Sequence, residues 1–166
     1  MRTMENSYSK GTENIYFQCR KRAAQYNESL SSREKAAEML GISTSSLANY
    51  ELGITKTVPV DVVVMMADLY NAPELRNLYC KNECPIGRVL PMATETKGLE
   101  SITLKILKSL DDNTVRAMKK ELVDIAEDGE VSDDEQGRFE EVLQWLTKIE
   151  EKISELKIIA EKCRKK

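Results

Sequence analysis

The hydrophobic and polar positions of the chain recur with the period of α-helices, and no segment shows the two-residue period of a β-strand. In the first half this pattern predicts five helices, at residues 14–27, 32–40, 43–52, 59–70 and 73–79. Ser32 and Ser43 stand as N-caps before the second and third helices, and Gly41 and Gly53 stand where these two helices end. Pro59 suits the first turn of the fourth helix, where no backbone N–H donor is needed. The register of that helix gathers its apolar residues on one broad face: Val62, Val63, Met66, Ala67 and Tyr70.

A stretch that overlaps the start of the first predicted helix, residues 13–18, resembles the cleavage sequence of expression tags. Ile15, Cys19, Ala23 and Tyr26 nevertheless fall at helical spacing, and the stretch continues without a break into the following residues. We therefore interpret it as a native helix. Residues 1–13 are mostly polar, and we predict a disordered N-terminus there.

The second half of the chain is predicted to be a separate helical region. Residues 80–98 contain Pro85, Gly87, Pro91 and Gly98, which is typical of a linker. Beyond this linker, residues 99–166 hold three helical patterns. Residues 99–110 place Leu99, Ile102, Ile106 and Leu110 on one face, and residues 113–127 do the same with Val115, Met118, Leu122 and Ile125. The stretch from Ser132 to Glu135 is typical of a capping box before the last helix.

The last helix has the strictest periodicity, with apolar residues separated alternately by three and four positions. These residues are Phe139, Val142, Leu146, Ile149, Ile153, Leu156, Ala160 and Cys163. Such heptads predict either pairing with a second copy or packing back onto the helices of residues 99–127. The narrow seam and its charged flanks favour a homodimer, although Leu143, Trp145 and Ile159 widen the apolar face as intramolecular packing would.

The 166-residue chain contains no histidine, which restricts its possible chemistry. Ser–His and Cys–His nucleophilic pairs, histidine general bases and histidine metal sites are excluded. Phosphate-binding glycine loops and nucleophile motifs are also absent from the sequence. We therefore expect neither an enzyme nor a cofactor. Cys80 and Cys84 supply two thiols where a structural zinc needs four ligands, so we expect no metal site.

Membrane and secretory features are equally lacking in the sequence. No apolar stretch approaches the roughly 18–20 residues of a membrane span. The polar N-terminal residues include no apolar signal core, and four cysteines do not make a dense disulfide framework. A cytoplasmic protein without a membrane partner is the simplest interpretation.

The net charge of −3 is distributed unevenly along the chain. Residues 1–58 carry eight Lys or Arg and six Asp or Glu, a net charge of +2. Residues 110–135 carry three Lys or Arg and ten Asp or Glu, a net charge of −7. A surface that binds nucleic acid, if the chain has one, is therefore expected in the N-terminal half.

Residues 32–53 have the pattern of a helix-turn-helix. Ala37 is small enough for the third helix to cross closely, Gly41 permits a left-handed turn, and Ile42 and Leu47 fill the space between the two helices. The start of the third helix then exposes short polar side chains, the type that reaches base edges in the major groove of DNA. We therefore assign base reading to Thr44, Ser45, Ser46 and Asn49, and phosphate contacts to Arg33, Ser43, Tyr50 and Lys56.

Residues 14–79 resemble the Xre/Cro-type helix-turn-helix domain of phage repressors and related bacterial regulators. The resemblance rests on Ala37, Leu40-Gly41-Ile42-Ser43, Leu47 and Tyr50-Glu51-Leu52-Gly53, and on Pro59 and Met66-Ala67 in the fourth helix. Arg33 and Ala36 depart from it, since the family usually has Gln and Leu there. The resemblance implies an all-α chain with a five-helix, lambda-repressor-like DNA-binding domain, followed here by a helical region that ends in the heptad-patterned helix.

The sequence thus predicts a DNA-binding transcriptional regulator, of the repressor type, that reads the major groove of double-stranded DNA with the helix of residues 43–52. The alternative is a protein-interaction factor that keeps the helix-turn-helix scaffold without sequence-specific DNA binding. A homodimer through the C-terminal helices is expected in the first case, with residues 99–166 as the assembly region.

Overall fold

The computed structural model describes residues 14–127 and 129–164, and within these ranges every regular element is helical. The expected all-α class is therefore confirmed. No helix in the described ranges is both long enough and apolar enough to cross a lipid bilayer. The chain divides into two compact units, and the boundary falls between Arg88 and Val89, inside the predicted linker segment 80–98. The predicted disordered N-terminus, residues 1–13, lies outside the described residues.

Unit 1, which ends at Arg88, contains five α-helices and a 3₁₀ helix, Glu28–Ser31; a second 3₁₀ helix, Gly87–Val89, falls at the end of this unit and the start of the next. The α-helices are α1 (Ile15–Ala23), α2 (Arg33–Met39), α3 (Thr44–Glu51), α4 (Val60–Leu69) and α5 (Glu74–Asn82). Ser32 and Ser43 cap α2 and α3 as predicted, because their hydroxyl oxygens accept the N–H groups of Lys35 and Ser46. The fourth helix follows Pro59, also as predicted.

Two of the helix ends in unit 1 differ from the prediction. The prediction that α1 reaches Asn27 is wrong: the helix stops at Ala23, and Tyr26 is 88% exposed. Asn27 has an extended backbone, and its side chain accepts the N–H of Ser29 to start the 3₁₀ helix. At the other end, α5 continues three residues past Tyr79 to Asn82. Beyond Asn82, the first residue that disfavours helical backbone is Pro85, because a proline restricts the residue before it to an extended conformation.

Fifteen buried apolar residues form one core in unit 1, with contributions from all five helices. Leu47 of α3 and Met66 of α4 are completely buried in it, and the predicted face of α4 is buried in full. Cys19 and Ala23 belong to this core and Ile15 packs against it, so the apolar spacing of the first helix is used inside the fold. Residues 14–18, the described part of the stretch that resembles a tag sequence, thus belong to this unit, and Ile15 and Tyr16 among them pack against its core.

Unit 2 begins at Val89 and contains α6 (Leu99–Ser109), α7 (Asp112–Ile125) and α8 (Gln136–Arg164). Both shorter helices pack against α8. Lys105 of α6 lies 3.6 Å from Glu155, and the carbonyl of Ser109 accepts the indole N–H of Trp145 at 3.1 Å, so α6 runs antiparallel to α8. The preceding segment also contacts α8, because the Lys97 N–H donates to Glu155 at 2.8 Å.

The apolar faces of unit 2 are only partly buried. On α6, Ile102 is fully buried, whereas Leu99 and Leu110, which were predicted to share its face, are exposed. The seam predicted on α8 is divided in the same way: Val142 is fully buried, but Leu146 and Ile153 are each 41% exposed. Outside the seam, Glu155 and Ile158 are buried, and the indole of Trp145 is turned inward, to the carbonyl of Ser109. The side that α8 presents to α6 and α7 is therefore rotated away from the predicted one.

Candidate nucleic-acid interface

The turn between α2 and α3 has a defined hydrogen-bonding pattern. Gly41 has a φ of +64°, which a residue with a side chain adopts only with strain. Its N–H donates to the carbonyl of Glu38, and the N–H of Ile42 donates to the carbonyl of Ala37. These two bonds make a Schellman motif, which satisfies the last carbonyls of α2. The backbone hydrogen bonds of this turn therefore set the direction in which the chain leaves α2 and enters α3.

A second motif of the same kind ends α3. Gly53 has a φ of +68°. Its N–H donates to the backbone carbonyl of Tyr50, and the N–H of Ile54 donates to the backbone carbonyl of Asn49. With Ser43 at one end and Gly53 at the other, both termini of this eight-residue helix are hydrogen-bonded. Such short helices are marginal in isolation, so these caps help to maintain the helix that carries the predicted base-reading residues.

Three of the four predicted base-reading residues are exposed on α3, namely Thr44, Ser45 and Asn49. Ser46 is half-buried, and its N–H donates to the hydroxyl of Ser43 at 3.0 Å. The Ser43 hydroxyl also lies 3.0 Å from that of Ser45 and 2.8 Å from that of Ser46. These hydroxyls are therefore already paired with one another, whereas the amide of Asn49 projects as an exposed donor and acceptor.

The opposite side of α3 faces the protein. Leu47 is fully buried in the core of unit 1, and Glu51 is 1% exposed. Ser45 and Asn49, four residues apart, lie on the same side of the helix, away from these two. The helix thus separates a buried anchoring side from an exposed polar side, as a helix that enters a groove requires.

A buried ion-pair cluster, which we define as Arg20, Glu51 and Arg33, holds α3 to α1 and α2. The Nε of Arg20 lies 2.5 Å from one carboxylate oxygen of Glu51, and its Nη2 lies 2.9 Å from the other. Arg33 donates from Nε to the second oxygen at 2.9 Å. Arg20 is 2% exposed and also donates to the carbonyl of Leu30. The hydrogen bond with Glu51 raises the pKa of the Arg20 guanidinium.

This cluster was not predicted from the sequence. Glu51 was noted only as part of the resemblance at the end of α3, and Arg20 was not singled out. A signal was nevertheless available, because Arg20 lies on the same side of the first helix as Tyr16 and Ala24, four residues before and after it, which pack against the core. A charged residue at a core position needs a buried partner of opposite charge.

The predicted phosphate contacts occupy different environments. Arg33 is engaged with Glu51 through Nε, which leaves its terminal nitrogens as the groups for an anion. Tyr50 is half-buried against the core, while Lys56 is exposed in the loop after α3. Tyr50 and Lys56 line the same cavity of about 320 Å³, together with Asn14, Tyr79 and other residues. The structure therefore groups these two residues, whereas Ser43 and Arg33 do not line this cavity.

No disulfide joins the four cysteines of the described ranges, which are Cys19, Cys80, Cys84 and Cys163. Within these ranges, no group of three or more Cys, Asp or Glu side chains is placed to hold a metal ion. Comparison with known proteins found no matching family model, no matching curated protein and no matching solved structure.

Proposed function

We propose that the protein is a sequence-specific DNA-binding transcriptional regulator, of the repressor type, that reads the major groove with α3. The observation that carries this proposal is the exposed polar side of α3, formed by Ser45 and Asn49 and anchored from behind by Leu47 and Glu51. The arrangement of α2, the Gly41 turn and α3 is consistent with the Xre/Cro-type domain that the sequence resembles. The function would be exercised by unit 1.

Each polar residue has a distinct part in this proposal. The side-chain amide of Asn49 offers both a donor and an acceptor, which match N7 and N6 of adenine. Thr44, Ser45 and Ser46 carry hydroxyls that donate or accept at base edges. Lys56 and the terminal nitrogens of Arg33 would contact phosphates, which hold the protein in register but carry no sequence information.

A protein-interaction factor is the second candidate, and one observation favours it. Residues 1–58 have a net charge of only +2, and Arg33 spends part of its hydrogen-bonding capacity on Glu51. Affinity for DNA depends strongly on cationic contacts with phosphates. Near the same helices, Met39 and Ile54 are exposed apolar side chains that suit a protein partner.

The two candidates differ in what the purified protein selects from a random pool of double-stranded DNA. The regulator enriches one sequence, and Asn49→Ala weakens binding to it by about 1–3 kcal/mol and relaxes the preference at one base pair. Lys56→Ala weakens binding to all sequences alike and lowers the salt slope by about one. Lys108→Ala, which removes the same charge from an exposed position in unit 2, serves as the matched control and leaves both measurements unchanged.

A failure of this test would be unambiguous. If no sequence is enriched, or if Asn49→Ala and Lys56→Ala bind selected and random DNA like the unaltered protein, α3 does not read DNA. The protein-interaction factor would then replace the regulator.

We also propose that unit 2 is the assembly region of this regulator and that the protein works as a homodimer. A two-fold dimer predicts a nearly palindromic target, with half-sites about one helical turn apart or a multiple of it. The incomplete burial of the apolar faces of α6 and α8 supports this assembly role.

A further inference from the structure

One continuous stripe of α8 is exposed along almost two-thirds of the helix. Its members are all exposed and follow one another at intervals of three and four residues, so they lie in a straight line along the helix. We define the α8 stripe as Leu143, Leu146, Glu150, Ile153, Lys157 and Ala160. Three of these residues are large apolar side chains that expose about two-fifths of their surface. A surface of this kind on a regular helix suits a partner helix.

The stripe also carries one acidic and one basic residue, placed symmetrically around Ile153. Glu150 lies three residues before Ile153, and Lys157 lies four residues after it. Among the described residues, neither of them forms an ion pair, in contrast to Glu155, which pairs with Lys105 at 3.6 Å on the covered side of the helix. The two charges are thus available to a partner and have opposite signs at the two ends of an apolar centre.

We propose that the α8 stripe docks on the α8 stripe of a second copy, as an antiparallel pair that crosses near Ile153. Running two identical helices in opposite directions brings Glu150 of each copy beside Lys157 of the other. The same ion pair then forms twice, as a two-fold interface requires. The Ile153 side chains of both copies are covered between these pairs. Leu146 lies beyond them, where the small Ala160 of the partner permits its close approach.

The charges select this direction over the parallel one. In a parallel, in-register pair, each residue lies nearest the same residue of the other chain, so Glu150 would face Glu150 and Lys157 would face Lys157. Positions 150 and 157 are about 10 Å apart along a helix. In a parallel pair, Glu150 is therefore much closer to the partner's Glu150 than to the partner's Lys157. Parallel pairing therefore repels at both positions, whereas antiparallel pairing attracts at both.

This inference deepens the assembly role in the proposed function and rests on it only for the identity of the partner as a second copy. Light scattering on the full chain at tens of micromolar measures the oligomeric state directly. The unaltered protein should have twice the 18.9 kDa mass of the chain. Glu150→Lys and Lys157→Glu should each halve that mass, because each places two like charges opposite each other at both ends of the interface.

Charge exchange makes the test specific for the antiparallel register. The double variant Glu150→Lys with Lys157→Glu restores both ion pairs with reversed sign, so the mass returns to that of a dimer. An equimolar mixture of the two single variants should also form a dimer, because every contact between unlike chains is then attractive. Lys148→Glu is the matched control, since Lys148 is exposed on the opposite side of α8 from Lys157 and its reversal should leave the mass unchanged.

Several outcomes would overturn the interface. A monomeric unaltered protein would mean that the stripe is not covered by a second copy. A dimer that survives either single reversal, or a double variant and a mixture that stay monomeric, would place the interface elsewhere or in the parallel direction. The fluorescence of Trp145, the only tryptophan of the chain, checks that α8 remains packed in each variant. If α8 is not packed in a single variant, the mixture of the two single variants distinguishes a lost interface from a lost fold. A chain that has merely been destabilised is not returned to a dimer by a second chain of opposite charge.

The result can be separated from that of the DNA experiment. A monomeric single variant should still select the same half-site sequence through α3, with reduced affinity for the full palindrome. Loss of the dimer with retained half-site selection leaves the proposed regulator standing, whereas an intact dimer that selects no DNA leaves only the interface standing.

Discussion

The two units of this chain bury their apolar residues to very different extents. In unit 1, fifteen apolar residues form a closed core, and a fully buried ion pair lies beside it. Among the described residues of unit 2, only four apolar residues are buried to the same degree: Ile102, Ile125, Val142 and Ile158. Both units are built from helices of ordinary amphipathic character, so the difference lies in their arrangement.

The arrangement explains the difference in physical terms. Five short helices that pack in several directions enclose a volume, and each helix buries a broad side. Two shorter helices packed along one long helix bury only the contact between them, and the remaining sides of α6 and α8 face outward. A unit of the second kind gains little from the hydrophobic effect by itself and gains more by association. Unit 1 is thus suited to fold alone, whereas unit 2 leaves apolar surface exposed that the proposed dimer would cover.

The largest effect is expected at the buried ion-pair cluster of unit 1. Glu51→Ala leaves Arg20 buried without a counter-charge, so the free energy of unfolding of unit 1 should fall by roughly 3–5 kcal/mol. Urea denaturation followed by far-UV circular dichroism reports both units, and Trp145 fluorescence reports unit 2, whose transition should not move. Glu121→Ala breaks the exposed pair with Arg138 in unit 2 and should cost no more than about 1 kcal/mol. Equal losses of unfolding free energy in the two variants would show that the buried cluster stabilises its unit no more than an exposed ion pair does.

A pair of core truncations tests whether the small core of unit 2 is its weak point. Met66→Ala in unit 1 and Ile102→Ala in unit 2 each remove a fully buried side chain and should cost about 2–5 kcal/mol. Unit 1 keeps fourteen other core residues and should stay folded with a lower midpoint. Unit 2 keeps three, and the fluorescence of Trp145 should show it unfolded without urea. Leu104→Ala, on the exposed side of α6, is the control with a small effect; a folded Ile102→Ala variant would show that unit 2 is less dependent on its core than we infer.

The smallest effect is a dependence on pH at the start of α7. Asp111 caps this helix, and its hydrogen bonds with Thr114 lower the pKa of the carboxyl. The unfolded chain then binds the proton more readily, so the contribution of Asp111 to stability is complete above about pH 4 and is lost as the pH falls through the lowered pKa. The urea midpoint of unit 2 should therefore fall less between pH 6 and pH 3 in Asp111→Asn than in the unaltered protein.

A matched substitution in the other unit confirms or refutes the location of this effect. Hydrogen bonding to Ser32 also lowers the pKa of Glu34, at the start of α2. Glu34→Gln should change the pH dependence of the circular dichroism transition of unit 1 and leave the Trp145 transition unaltered. A pH dependence of Trp145 that is the same with and without Asp111 would remove this carboxyl from the explanation.

Local signals in the sequence were sufficient for several elements. Ser32, Ser43 and Pro59 start helices, and Gly41 and Gly53 end them, because capping involves atoms only a few residues apart. The face of α4 was also predictable, since a helix buried on a broad side repeats its apolar residues with the helical period. The exposed polar start of α3 follows from the same reasoning.

Which residues are anchored and which are exposed was decided only by the tertiary structure. Arg20 and Glu51 are 31 residues apart, and Trp145 and Ser109 are 36 residues apart, so no local pattern relates them. The inward side of α8 likewise depends on where α6 and α7 lie against it, which is why Trp145 is turned inward and Leu146 remains exposed. The sequence by itself determined where the helices of unit 1 begin and which class of fold forms, because those properties depend on neighbouring residues. The buried ion pair and the exposed stripe on α8 depend on contacts between distant segments, and only the folded chain brings those segments together.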